Sequence, residues 1–293
     1  FIAALCIVYA PIVFFNKSLQ PPLFYPLNGV VETGAYGYEG RVPINSFNID
    51  MTTGVYVAPP LNRFIGDSYK RGELPLWTSY GASGNPLIEQ YATATFFPFQ
   101  ILKNIFPTKT WDFFILAQFW IAGFFTYLFL RLLKLSPISS FLGGLFFMFS
   151  GSFTWYWANE QMTNAAMLIP VLLWALERLF QNKRAKDIVL SAFIFAFVLF
   201  VGNPGGFIFT LLLGGVYFVF RIITAKEKAT QKLKHLLLLL LIFVLALELA
   251  AFQILPFVES FSSMHNNRDP DLGYDYGTLG TNWRFLAYIF TPG

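Results

Sequence analysis

The chain has 293 residues, 56% of them hydrophobic and 12% charged, about half the charge content of an ordinary soluble protein. Its net charge of +4 comes from Lys and Arg gathered beside apolar runs, where basic residues set membrane topology and do not mark a nucleic-acid partner. Cys6 is the only cysteine, so an intrachain disulfide and a thiolate metal site are both excluded.

In chain order, apolar runs predict an all-α polytopic transmembrane bundle with about seven spans, near 1–15, 111–133, 138–157, 165–180, 188–202, 206–224 and 236–256. The first run is shorter than the ~20 residues of a spanning helix, and 285–293 closes on aromatic residues and Pro-Gly. Residues 1–293 are therefore expected to be one transmembrane domain truncated at both ends. Basic residues fill alternate short connections: Arg131 and Lys134; Arg178, Lys183, Arg184 and Lys186; Arg221, Lys226, Lys228, Lys232 and Lys234. That asymmetry predicts a cytoplasmic N-terminus, with 16–110 and 257–293 on the extracytoplasmic side.

The 16–110 segment is too long for a connector and too rich in Tyr, Phe, Pro and Leu for disorder. An ordered cap is expected, with short interfacial helices over 55–69 and 87–105. Asp50 precedes Met51-Thr52-Thr53, which also suits a plain helix cap or turn. Gly72-Glu73-Leu74-Pro75-Leu76-Trp77 is followed by the Gly-rich turn Ser79-Tyr80-Gly81-Ala82-Ser83-Gly84-Asn85-Pro86. Glu248, in Leu247-Glu248-Leu249 of the last span, is expected to face the bundle interior, because an ionised group in lipid is costly. Glu160 falls in an outer connection that holds no Lys or Arg, whereas Glu177 with Arg178 reads as an inner-end anchor. His235 and His265 fall on opposite faces, so no His metal cluster is expected, although carboxylates leave a divalent cation open. There is no Gly-Lys-Ser/Thr phosphate loop, Gly-x-Ser-x-Gly elbow or paired His-Glu motif.

The order of Asp50, Gly-Glu-Leu-Pro-Leu-Trp, Gly-Asn-Pro-Leu, Phe96-Phe97-Pro98, Ser150-Gly151, Glu177-Arg178, Gly202-Asn203-Pro204-Gly205 and Gln253-Ile254-Leu255-Pro256 with Glu259 and Arg268 resembles the YfhO family of bacterial membrane proteins. The resemblance implies a GT-C-type glycosyltransferase in the bacterial cytoplasmic membrane. Such an enzyme takes sugar from a polyprenyl-phosphate donor to a cell-envelope polymer acceptor, with Asp50 as the catalytic acid of the first outer loop. A carboxylate suits that role as general base. Arg63, Lys70, Arg71 and Arg268 are candidates to hold the lipid phosphate, with Glu160 and Glu248 as further substrate-binding candidates. Each base alone also suits a solvated or headgroup-facing residue. Two other classes fit: a lipid or polymer transporter built on Glu248 and the Gly/Pro-interrupted fifth and sixth spans, and a non-catalytic scaffold. A cavity opening only beneath the outer loop favours the transferase, and one reaching both faces favours transport.

Overall fold

The computed structural model describes residues 1–19, 58–80, 84–154 and 159–263. Its helices are α1 (Ile2–Val8), α2 (Ala10–Phe14), α3 (Ala58–Lys70), α4 (Pro98–Ile105), α5 (Trp111–Leu132), α6 (Pro137–Met148), α7 (Gly151–Thr154), α8 (Glu160–Asn182), α9 (Ala185–Leu199), α10 (Pro204–Thr224) and α11 (Ala229–Ser263). The chain divides into Phe1–Phe257 and Val258–Gly293; of the second part, only the end of α11 is described. The fold is an all-α membrane bundle. Among the described residues, four segments, Thr108–Leu132, Glu160–Asn182, Pro204–Thr224 and Ala229–Ser260, are long and apolar enough to cross a bilayer.

Each predicted apolar run falls on helix within the described residues, which exclude 155–157 of the third run, but several are broken for local reasons. Pro11, at the second position of α2, has no amide hydrogen for the preceding turn, and the first run parts at Tyr9. The third run is likewise split into α6 and α7. Pro137 opens α6 behind Ser136, whose hydroxyl accepts from the Ser139 amide at 3.1 Å. In the same way Pro204 opens α10 behind Asn203, whose side chain accepts from the Gly206 amide at 2.7 Å.

α8 is the central post. The apolar window of α8 is 72% buried, against 39% for α5 and 22% for both α10 and α11. α5, α9 and α10 pack on it, and α6 packs on α5. The α5–α6 contact is a close approach of backbones. A Cβ on Gly144 would lie 2.6 Å from the Gly123 carbonyl, so only small residues allow this spacing. The face that α11 buries carries Ile242, Ala246, Ala250 and Gln253.

Within 16–110, two helices form close to the expected places, but 87–105 is helical only from Pro98. Before it, Asn85–Pro86 pairs antiparallel with Trp77–Thr78, and Tyr91–Thr93 makes a single 3₁₀ turn ended by Ala94 in the left-handed region. α3 and α4 pack tightly at Gly66, where any Cβ would run into the Asn104 carbonyl. α4 is turned polar side inward: Gln100, Lys103 and Asn104 are buried, while Leu102 is half exposed. Leu74, Leu76 and Trp77 are exposed as well, as suits a segment resting against acyl chains and headgroups.

Candidate functional site

α8 carries an acid near each end. Glu160 opens the helix and Glu177 follows 17 residues later, about 25 Å along the axis at 1.5 Å per residue. That separation is just under the ~30 Å of a bilayer's apolar core, and polar side chains gather around each acid.

At the first end, Glu160 lies where α3, α4 and α8 meet. Asn159 caps α8, accepting from the Met162 amide at 3.4 Å, and an acid in the first turn suits the helix dipole. One Glu160 oxygen accepts from Lys103 Nζ. The other accepts from Asn62 Nδ2 at 3.1 Å and from Gln100 Nε2. Gln100 also donates to Asn104 Oδ1 at 3.2 Å, and Asn104 donates to Asn62 Oδ1 at 3.5 Å. The Lys103 ammonium sits 4.8 Å from the Trp111 ring, a cation–π contact. The Lys103 side chain is 3% exposed and that of Glu160 23%. One turn further along α8, Asn164 accepts from Gln118 Nε2 at 2.6 Å and donates to the Val201 carbonyl at 3.4 Å. Elsewhere on α3, the Tyr69 hydroxyl donates to the Thr95 carbonyl at 3.0 Å, and burial pushes its pKa up to about 12, so it remains a donor at any physiological pH.

This arrangement defines what Glu160 does chemically. Both of its oxygens are engaged, one of them by an ammonium, so it holds α3 and α4 onto the end of α8 and is not poised to take a proton. The sequence alone assigns no role to Lys103, Asn62, Gln100 or Asn104. The available signal was the spacing of Gln100, Lys103 and Asn104, which puts three polar residues on one face of α4.

The other expected site residues are dispersed. Asp50 and Arg268 lie outside the described residues, as does His265. Arg63 is exposed on α3, 3.4 Å from the Thr108 hydroxyl. Lys70 pairs with Asp67 at 3.3 Å, and Arg71 pairs with Glu73 at 2.9 Å, all on the surface. Glu248 does not face the interior as expected: it is exposed. Ala246 and Ala250 occupy the inward face of α11, and position 248 falls on the opposite side of the helix.

At the second end, Glu177 is wholly buried. Arg221 donates to both of its oxygens at 2.8 Å, the Tyr217 hydroxyl donates at 2.6 Å and Gln181 at 2.7 Å. Glu177 is an anchor, but its partner is Arg221 on α10; Arg178 instead pairs with buried Asp187 at 2.9 Å. Nearby, Glu227 bridges Lys183 at 3.2 Å and His235 at 3.0 Å. Desolvation alone would raise the Glu227 pKa, but the hydrogen bond and charge of Lys183, with His235, hold it below the usual carboxylate range.

Among the described residues, no three His, Cys, Asp or Glu side chains gather to hold a metal ion. The chain matches no protein-family model, no curated protein and no solved structure.

Proposed function

We propose that this chain is a membrane glycosyltransferase of the GT-C type, which moves a sugar from a polyprenyl-phosphate carrier to an extracytoplasmic cell-envelope acceptor. The observation that carries the reading is the ordered cap: α3 and α4 are bound by the pair of buried Lys103 with half-buried Glu160 and by three amides to one end of an apolar bundle. A connector has no use for such a clamp, whereas a transferase needs a fixed platform at the membrane surface where a lipid-linked sugar meets its acceptor. The YfhO-like order of motifs supplies the chemistry, with seven crossings, a cytoplasmic N-terminus and the cap on the outer side.

In this reading Asp50 accepts the proton of the acceptor hydroxyl as its oxygen attacks the sugar's anomeric carbon. The bond from that carbon to the carrier phosphate breaks, and polyprenyl phosphate leaves with the electron pair. Arg63, Lys70 and Arg71 lie exposed on the cap or at its edge, available to balance the phosphate charge, and Arg268 is the fourth such base. The transport reading loses one support, because Glu248 lies off the packed interior.

The test is transfer of labelled sugar from polyprenyl-phosphate-sugar to envelope polymer, in membranes carrying the wild-type protein or Asp50→Asn at matched abundance. We expect a loss of roughly a hundredfold or more in the variant. Unchanged transfer would remove Asp50 from the mechanism, and no transfer by the wild type would overturn the enzyme reading.

A further inference from the structure

We propose that the groove between α10 and α11 is a binding site for one anionic phospholipid, with its acyl chains in the groove and its phosphate on Lys228 and Lys232. The groove holds about 1030 Å³ and is lined by apolar side chains, among them Leu212, Val216 and Ile223 of α10 and Leu236, Leu240 and Phe243 of α11. Among the described residues no polar or charged side chain lines it, so an occupant's buried part is hydrocarbon.

What identifies the occupant is the charge at one end. Lys232 donates through Nζ to the carbonyl of Ile223, itself a groove residue, at 2.9 Å, which puts the ammonium at the groove's mouth with donors to spare. The Lys232 position shares a helical face with Leu236, Leu239 and Leu240. Lys228 stands one turn earlier, its carbonyl accepting from the Lys232 amide at 3.1 Å. Lys226 and Lys228 are exposed, and neither makes a side-chain ion pair among the described residues. Glu227, between Lys226 and Lys228 in sequence, is already committed to Lys183 and His235, and Glu177 to Arg221 and Tyr217. The mouth is therefore net positive while the groove is oily, which is the charge and polarity profile of an anionic phospholipid and not of a neutral one.

Gly215 allows a direct test. It lines the groove, and a Cβ added there meets nothing within 4 Å, so the Cβ of Gly215→Phe clashes with nothing and its ring is directed to occupy groove space, and removing a mid-helix glycine favours the helix. The experiment is native mass spectrometry of the full-length protein released from nanodiscs of mixed phosphatidylglycerol and phosphatidylcholine with identical chains. We expect the wild type to retain phosphatidylglycerol roughly thirtyfold better, from two lysines at a membrane surface. Lys228→Gln/Lys232→Gln should erase that preference while some lipid of either kind remains, and Gly215→Phe should remove the retained lipid. Equal retention of the two lipids by the wild type, or unchanged phosphatidylglycerol retention in Gly215→Phe, would overturn the proposal. So would a wild-type dimer that Gly215→Phe converts to monomer with lipid retention unaltered, since the groove would then seat a second copy. None of these readouts depends on sugar transfer, so this site and the transferase reading stand or fall separately.

Discussion

The two ends of α8 hold their acids in opposite ways. Glu177 has no accessible surface and is held by the bidentate Arg221, a tyrosine and a glutamine. Glu160 keeps a fifth of its side chain open, and its partners come from α3 and α4. The first arrangement fastens bundle helices to one another, α8 to α10. The second fastens a separate piece, the cap, to the bundle. The contrast teaches that burial of an acid and the origin of its partners tell what it holds in place, more than its position in a predicted span does.

Deleting the basic partner of each acid sharpens this contrast. Arg221→Ala leaves the buried Glu177 carboxyl without its guanidinium partner, and loss of one member of a buried pair costs about 3–5 kcal/mol. We expect the largest fall in stability here, read as loss of helical signal on denaturant unfolding in micelles, with cap and bundle melting together. Lys103→Ala leaves a carboxylate that still has two amide donors and some access to solvent, so about 1–2 kcal/mol is expected. That loss should be confined to the cap, read as faster proteolysis within 58–110 while the bundle stays intact. Equal global destabilisation by the two variants would break the comparison and make the cap part of the core. Under the proposed function, Lys103→Ala also slows sugar transfer while Asp50 is untouched, because it loosens the platform.

The bundle was legible from sequence because apolar runs between Lys/Arg clusters report the same lipid-facing surfaces that the helices expose. The breaks at Tyr9 and after Met148 were less legible, although Pro11 announces the first. The polar clusters were not legible. The partner of Lys103 is 57 residues away and that of Glu177 is 44 away, and no local period encodes a pairing across such distances. A base in a loop is usually solvated; the burial of Lys103 follows from α4 turning its polar face inward, toward α8. Glu248 looked inward because charge in lipid is costly, but the small residues Ala246 and Ala250, which permit close packing, had already set the inward face of α11.

The smallest effect concerns the bases still free to act. Lys70 and Arg71 make surface pairs with Asp67 and Glu73, and such pairs contribute about 0.2–1 kcal/mol. Arg71→Ala should accordingly leave unfolding almost unchanged, in contrast to Lys103→Ala. If Arg71 meets the carrier phosphate, the same variant raises the donor KM severalfold while the cap remains protease-resistant, and high salt weakens wild-type binding in the same direction. A changed KM accompanied by a loosened cap would make Arg71 a second fastening of the Glu160 kind. An unchanged KM with an intact cap would leave it a solvated base and move the phosphate contact to Arg63 or Lys70. The order of effects, from Arg221 through Lys103 to Arg71, thus separates residues that hold the bundle, residues that hold the cap, and residues whose charge is available to a ligand.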